Sequence, residues 1–198
     1  MIPWFQWTTI QLGPVPIQVW GLFVASGMLL SLIILSKRSP RCGFDPNRVL
    51  DLALWAIVGG CISARFFHVL FYEPGYYLSY PAEILKVWHG GLSSFGGLFG
   101  AAAGAMLFFR FKKEQYAILI VDSLAFAAVF GWMVGRIGCF MIHDHLGVRC
   151  SNCFLAIQTP DGPRLEMALI EIVGMIPLAV LFFIARRKPK EGGWFAAV

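Results

Sequence analysis

QYAILIVDSLAFAAVFGWMVGRIGCFMIHDHLG, residues 115–147, carries one acid in its first twenty positions and then an arginine, two histidines and an aspartate between Arg136 and His145. A helix needs about 20 mostly apolar residues to cross about 30 Å of hydrocarbon, so 115–135 reads as a membrane span. Ionisable groups at the rim of hydrocarbon are costly unless a ligand, an ion or an opposite charge holds them. Their grouping at one end of the span marks that end as the place to look for chemistry.

Working outward, four more runs reach spanning length, at approximately 16–36, 49–72, 91–111 and 165–185. Hydrophobic residues make up 58% of the chain and charged residues 14%, against roughly a quarter charged in a soluble domain. The mean hydropathy of +0.71 agrees. The fold class expected is an all-α integral membrane protein, a polytopic helical bundle in one transmembrane domain covering 1–198. The first run reads as a span and not a signal peptide, because its basic residues follow the apolar stretch and no small-residue cleavage site precedes Lys37. After Lys190 the sequence reads GGWFAAV, and a further helix, cut short here, is expected to begin there.

Of the 16 lysines and arginines, 11 follow the first, third and fifth runs: Lys37, Arg38, Arg41, Arg48, Arg110, Lys112, Lys113, Arg186, Arg187, Lys188 and Lys190. The positive-inside bias puts the N-terminus and the loops 73–90 and 136–163 on the periplasmic side. The net charge of +5 is thus mainly an orientation signal. Three short basic clusters at helix ends form no continuous stripe, which argues against a nucleic-acid partner.

Gly96, Gly100 and Gly104 recur every four residues, and Gly131 and Gly135 repeat the spacing. Such intervals let helix backbones approach closely in lipid, and bundle packing is the plainer reading of both. The glycine pairs Gly90, Gly91 and Gly96, Gly97 are a different case, since backbone N–H groups left uncovered at a helix start can meet an anion. Arg65 and Glu171 both fall about 10 Å below the outer surface, an equal depth that makes them expected partners. Asp122 lies nearer the other end and is expected to face water.

Arg136 has a bland reading, snorkelling to the interface, and a functional one, in which its planar fork binds a phosphate bidentately. Histidine suits proton transfer near neutral pH, and a carboxylate beside it orients the ring or shares the work. His143, Asp144 and His145 supply that set. Cys150 and Cys153, with the two histidines, have ligand types that zinc accepts; a disulfide or free thiols are the alternatives. A site without metal is favoured, because HDH forces both imidazoles onto a short segment. Cys42 reads as a cytoplasmic-side thiol, Cys61 as a packing residue and His68 as interfacial.

Five stretches in order, LGPVPIQVWGL, GGCISARFFHVLFYEP, WHGGLSSFGGLFG, GRIGCF continuing to Gly147, and RLEMALIE, resemble the prolipoprotein diacylglyceryl transferase family. The resemblance implies a bacterial inner-membrane bundle of seven spans with its N-terminus outside the cytoplasm, six of them partly or wholly present here. It implies transfer of the diacylglyceryl group of phosphatidylglycerol to the cysteine thiol of a prolipoprotein signal peptide, forming a thioether and releasing glycerol phosphate, with no cofactor. Arg136 matches the essential arginine of the family's GRIGNF pattern, Gly147 matches its glycine, and Asp144 stands where glutamate is usual. The substrate site is expected to include Trp20, Arg65, Gly90, Gly91, Ser93, Gly96, Gly97, Cys139, Gly147 and Glu171.

Departures from the family pattern bear on activity. Phe95 stands where the family has histidine, Cys139 where it has asparagine, Trp20 where it has tyrosine, and HPSQLYE is reduced to LEMALIE ending on Glu171. A second arginine of the family's last helix is expected beyond Val198. Phe95 moves no proton, so His143 and His145 are the expected substitutes, with His89 as a further candidate. Two alternatives stay open: a lipid-binding paralogue without catalysis, and a transporter or metal-handling protein, whose charges would line a path through both leaflets.

Overall fold

The computed structural model describes residues 1–13, 15–86, 91–113 and 117–185. The elements are a hairpin β1 (Thr9–Leu12) and β2 (Val15–Gln18), then α1 (Val19–Cys42), α2 (Pro46–Phe71), the short α3 (Pro74–Ser79), a 3-10 turn Pro81–Leu85, α4 (Ser94–Lys112), α5 (Ala117–Ile142), β3 (Leu146–Arg149), β4 (Ala156–Thr159), β5 (Gly162–Glu166) and α6 (Met167–Ala185). Among the described residues five helices, α1, α2, α4, α5 and α6, are long and apolar enough to cross a membrane. Leu29, Ile62, Leu98 and Ile184 point outward on them, as side chains bathed in lipid do. The protein is a multi-pass helical membrane protein.

Helix ends follow local chemistry. Asp45 caps α2 by accepting from the Asn47 backbone N–H at 2.9 Å, with Pro46 pre-set at the first position. Ser93 caps α4 by accepting from the Gly96 N–H at 3.2 Å. α5 runs seven residues past the apolar stretch 115–135. Its last carbonyls are taken by the N-terminal segment: the Trp7 N–H donates to Met141 O and Gln6 Nε2 to Ile142 O, both at 3.0 Å.

Two compact units are formed, one joining residues 1–42 to 118–198 and the other covering 43–117. In the first, α1 and α5 meet at glycines: a side chain at Gly27 would strike the Gly131 backbone, and one at Gly131 would strike Ser31 and Gly27. Ser31 Oγ donates to Ala127 O at 3.1 Å across the same contact. Phe126 and Val129 of α5 pack with Ala179 and Phe182 of α6. Asp122 is buried here, contrary to the water-facing expectation, beside Ser123, which accepts from Arg38 Nε at 3.4 Å. Three antiparallel strands in the order β3-β5-β4 join α5 to α6. Ile2 bridges to Ile157 in parallel.

In the second unit α2 packs on α4 through Gly59, Gly60, Gly97, Gly100 and Gly104. The stripe of small residues therefore serves helix packing, the plainer of its two readings. A Cβ at Gly100 would collide with the Gly59 carbonyl and the Ser63 side chain, whereas one at Gly97 would meet Ala64 Cβ at an ordinary 3.7 Å. Gly100→Val is therefore expected to cost about 1–3 kcal/mol through overpacking and Gly97→Ala little. Thermal unfolding in detergent checks this, and equal melting temperatures for the two variants would contradict it. Cys61, read as a packing residue, is exposed on α2.

Candidate active site

Arg136, Cys139, Phe140 and His143 follow at helical spacing along one face of the end of α5. Arg136 Nε pairs with Glu171 Oε2 of α6 at 2.5 Å, the two side chains being 17% and 37% exposed. Its Nη1 donates to Cys139 Sγ at 3.8 Å, and its Cζ lies 5.1 Å from the Trp132 ring centroid. The sequence paired Glu171 with Arg65, but Arg136 holds it. The guanidinium is mostly buried and the carboxylate partly exposed.

The structure separates the two histidines. At His143 the chain leaves α5 in the left-handed region, φ 52°. Its imidazole is fully buried and meets Glu166 Oε2 through Nδ1 at 2.8 Å. The rings of Trp4, Phe5 and Phe140 box it, with centroids at 4.7, 4.7 and 5.4 Å. His145 is about half exposed, as is Asp144, and their Nδ1 and Oδ2 atoms are 3.5 Å apart. Only the second imidazole is open to an outside molecule. Glu166, fully buried, was missed in the sequence; its one signal is an acid placed directly before the apolar run of α6.

Gly147 makes room at the β3–β5 junction, since a Cβ there would lie 2.8 Å from Met167 Sδ. Trp20 is 43% exposed in the first turn of α1, and its carbonyl approaches Gly138. Cys150 and Cys153 form a disulfide, which removes both thiolates from any zinc set. Among the described residues no three His, Cys, Asp or Glu side chains gather as for a metal.

In the second unit Arg65 is buried and gathers carbonyls. Nε donates to Ile84 O at 3.0 Å, Nη1 to Gly91 O at 2.8 Å, and Nη2 to Glu83 O at 2.5 Å and Lys86 O at 3.4 Å. The expected Arg65–Glu171 pair is thereby corrected. The reason is physical: backbone carbonyls folding over the end of α2 satisfy a guanidinium as well as a carboxylate does. Gly91, at φ +76°, sits where a side chain would meet the His68 ring and Arg65 Nη1. Arg65, His68, Tyr77, Glu83 and Gly91 are among the residues around a cavity of about 300 Å³. Ser93 is the buried cap of α4, Gly96 is covered by Phe67 and Ser63, and Phe95 is exposed with its ring near Phe67. His89 and Gly90 lie outside the described residues.

The prolipoprotein diacylglyceryl transferase family matches residues 8–197. A phosphatidylglycerol–prolipoprotein diacylglyceryl transferase of Synechococcus elongatus is 37% identical over 143 residues, covering 71% of this chain and 48% of that protein. The enzyme of that name from Listeria monocytogenes serotype 4b is 33% identical over 201 residues, 94% of this chain and 71% of the relative. That from Chloroherpeton thalassium is 35% identical over 164 residues, 82% and 61% respectively. The chain thus spans between about half and seven-tenths of the length of these relatives. Matched from β1 almost to its last residue, the chain belongs to the prolipoprotein diacylglyceryl transferase family.

Proposed function

We propose that this chain transfers the diacylglyceryl group of phosphatidylglycerol to the cysteine thiol of a prolipoprotein signal peptide. It does so in the inner membrane of a bacterium, with its N-terminus and the α5–α6 connection on the periplasmic side. The substrates come from the names of the relatives, and the sidedness from the distribution of lysine and arginine. The observation that carries the reading is Arg136, a guanidinium near the end of a spanning helix beside a partly exposed carboxylate, the group that a phosphate would seek there.

The peptide sulfur attacks the glyceryl carbon that bears the phosphate ester. A C–S bond forms, the C–O bond to phosphate breaks, and glycerol phosphate leaves with the electron pair. Arg136 stabilises the charge gathering on the leaving phosphate oxygens. A thiol with reference pKa about 8.5 is a weak nucleophile until deprotonated. His145, with Asp144 beside it, accepts that proton. Arg65 is committed to carbonyls and supports the fold.

A second reading rests on Phe95, an exposed phenyl ring where the family has an imidazole: a paralogue that binds phosphatidylglycerol and transfers nothing. Purified protein in phosphatidylglycerol liposomes is expected to convert a lipobox peptide to its diacylglyceryl thioether, seen by mass spectrometry. Lipid retained by the protein without any thioether would favour the paralogue.

A further inference from the structure

We infer that His143 and Glu166 form a buried clasp that positions Arg136, acting on the site without touching substrate. An antiparallel ladder, irregular between Leu146 and Arg149, leads along the α5–α6 connection toward the two ion pairs. It pairs Arg149 with Arg164 and Leu146 with Glu166 in the sheet, continues where the Met167 N–H donates to His145 O at 3.3 Å, and reaches His143–Glu166 and then Arg136–Glu171. Seven residues separate the two basic partners, Arg136 in the last turns of α5 and His143 just past its end. Glu166 and Glu171 stand on either side of the start of α6. The inner rung is fully buried and the outer one partly exposed, so the rigid pair sets the spacing at which the loose pair forms.

Three features separate this role from proton transfer. The imidazole is walled in by Trp4, Phe5 and Phe140. Among the described residues its Nε2 has no hydrogen-bond partner. The backbone accepts φ 52° here, a conformation that a histidine adopts at some cost. It is tolerated because the left-handed turn swings the ring back onto Glu166 and lets the chain continue as β3.

Cys139 reports on the clasp without recourse to activity. It is buried one turn beyond Arg136 and receives its Nη1. Cys42, at the far end of α1 and bonded by Ser123 Oγ at 3.5 Å, reports on loosening of the whole unit. In full-length protein carrying Cys61→Ser, maleimide labelling of Cys139 relative to Cys42 is expected to accelerate about tenfold or more in His143→Gly and Glu166→Ala, as loss of a buried hydrogen bond allows local opening. Glycine keeps the left-handed backbone, so His143→Gly removes the side chain alone. The conservative variants should return toward wild type. His143→Asn keeps a donor at the Nδ1 position and tolerates the same φ, and Glu166→Gln keeps the acceptor.

The kinetic arm rests on the transferase reading: because Arg136 acts on the transition state, His143→Gly should lower kcat for diacylglyceryl transfer about tenfold or more, and His143→Asn, which cannot serve as a base, should recover most of it. An unchanged Cys139 rate, a rise of Cys42 in step, conservative variants as loose as the deletions, or an unchanged kcat would each overturn the clasp. Wild-type protein that is inactive yet shows the labelling pattern would overturn the transferase reading and support the clasp.

Discussion

Arg136→Ala is expected to lower kcat/KM for diacylglyceryl transfer at least about 10³-fold, roughly 4 kcal/mol of transition-state stabilisation, while moving the melting temperature little. The large kinetic effect follows from where charge develops. In the ground state the phosphodiester shares one charge between two oxygens; as the C–O bond breaks, a second accumulates on the leaving oxygen, and a guanidinium aimed there gains most at that moment. The small stability effect follows from exposure. The Arg136–Glu171 pair is 17% and 37% exposed, so the carboxylate left behind rehydrates, and loss of such a pair costs about 0–1 kcal/mol. Arg136→Lys keeps the charge but loses the two-pronged fork, and part of the activity should survive. Activity of Arg136→Ala within tenfold of wild type would remove this residue from the chemistry.

Glu171 sharpens the expectation. If it merely neutralises Arg136 between turnovers, Glu171→Gln leaves the positive charge more available and binds phosphatidylglycerol at least as well as wild type. If instead it aims the guanidinium, the same variant loses kcat. Lipid affinity and turnover measured on one preparation separate the two.

The sequence makes the membrane part of the fold readable because lipid imposes a single strong rule: a span must be long and apolar, and five runs obey it. That α4 packs closely on a neighbour was readable for the same reason, since glycine at every fourth position has few other uses in hydrocarbon; that the neighbour is α2 was not. What stayed hidden depends on atoms without residue identity. Arg65 donates to four backbone carbonyls, and acceptors of that kind carry no residue identity. The extension of α5 past Gly135 was hidden because hydropathy reports lipid contact and not helix formation, and Arg136 and Cys139 continue the helix where it emerges. The β3-β5-β4 sheet has strands of four and five residues, too short for an alternating pattern. Glu166 and His143 come together only through that sheet's register, so the spacing of HDH, which treats both imidazoles alike, could not say which of them is buried.

That distinction sets the second large expectation. His145→Ala should reduce turnover about 10²- to 10⁴-fold at neutral pH, the usual contribution of a positioned base. Asp144→Asn should cost far less, because its contact with His145 is long, at 3.5 Å, and both side chains are about half exposed. In His145→Ala the deficit should shrink as pH rises, because the substrate thiol then ionises in bulk water without help. Binding of phosphatidylglycerol should be untouched, since the substitution leaves Arg136 and Glu171 in place. A deficit that is constant across pH would show that His145 shapes the peptide's approach and that the proton leaves by another route. If Asp144→Asn is instead the more damaging change, the base is the carboxylate itself, and His145 is its orienting partner.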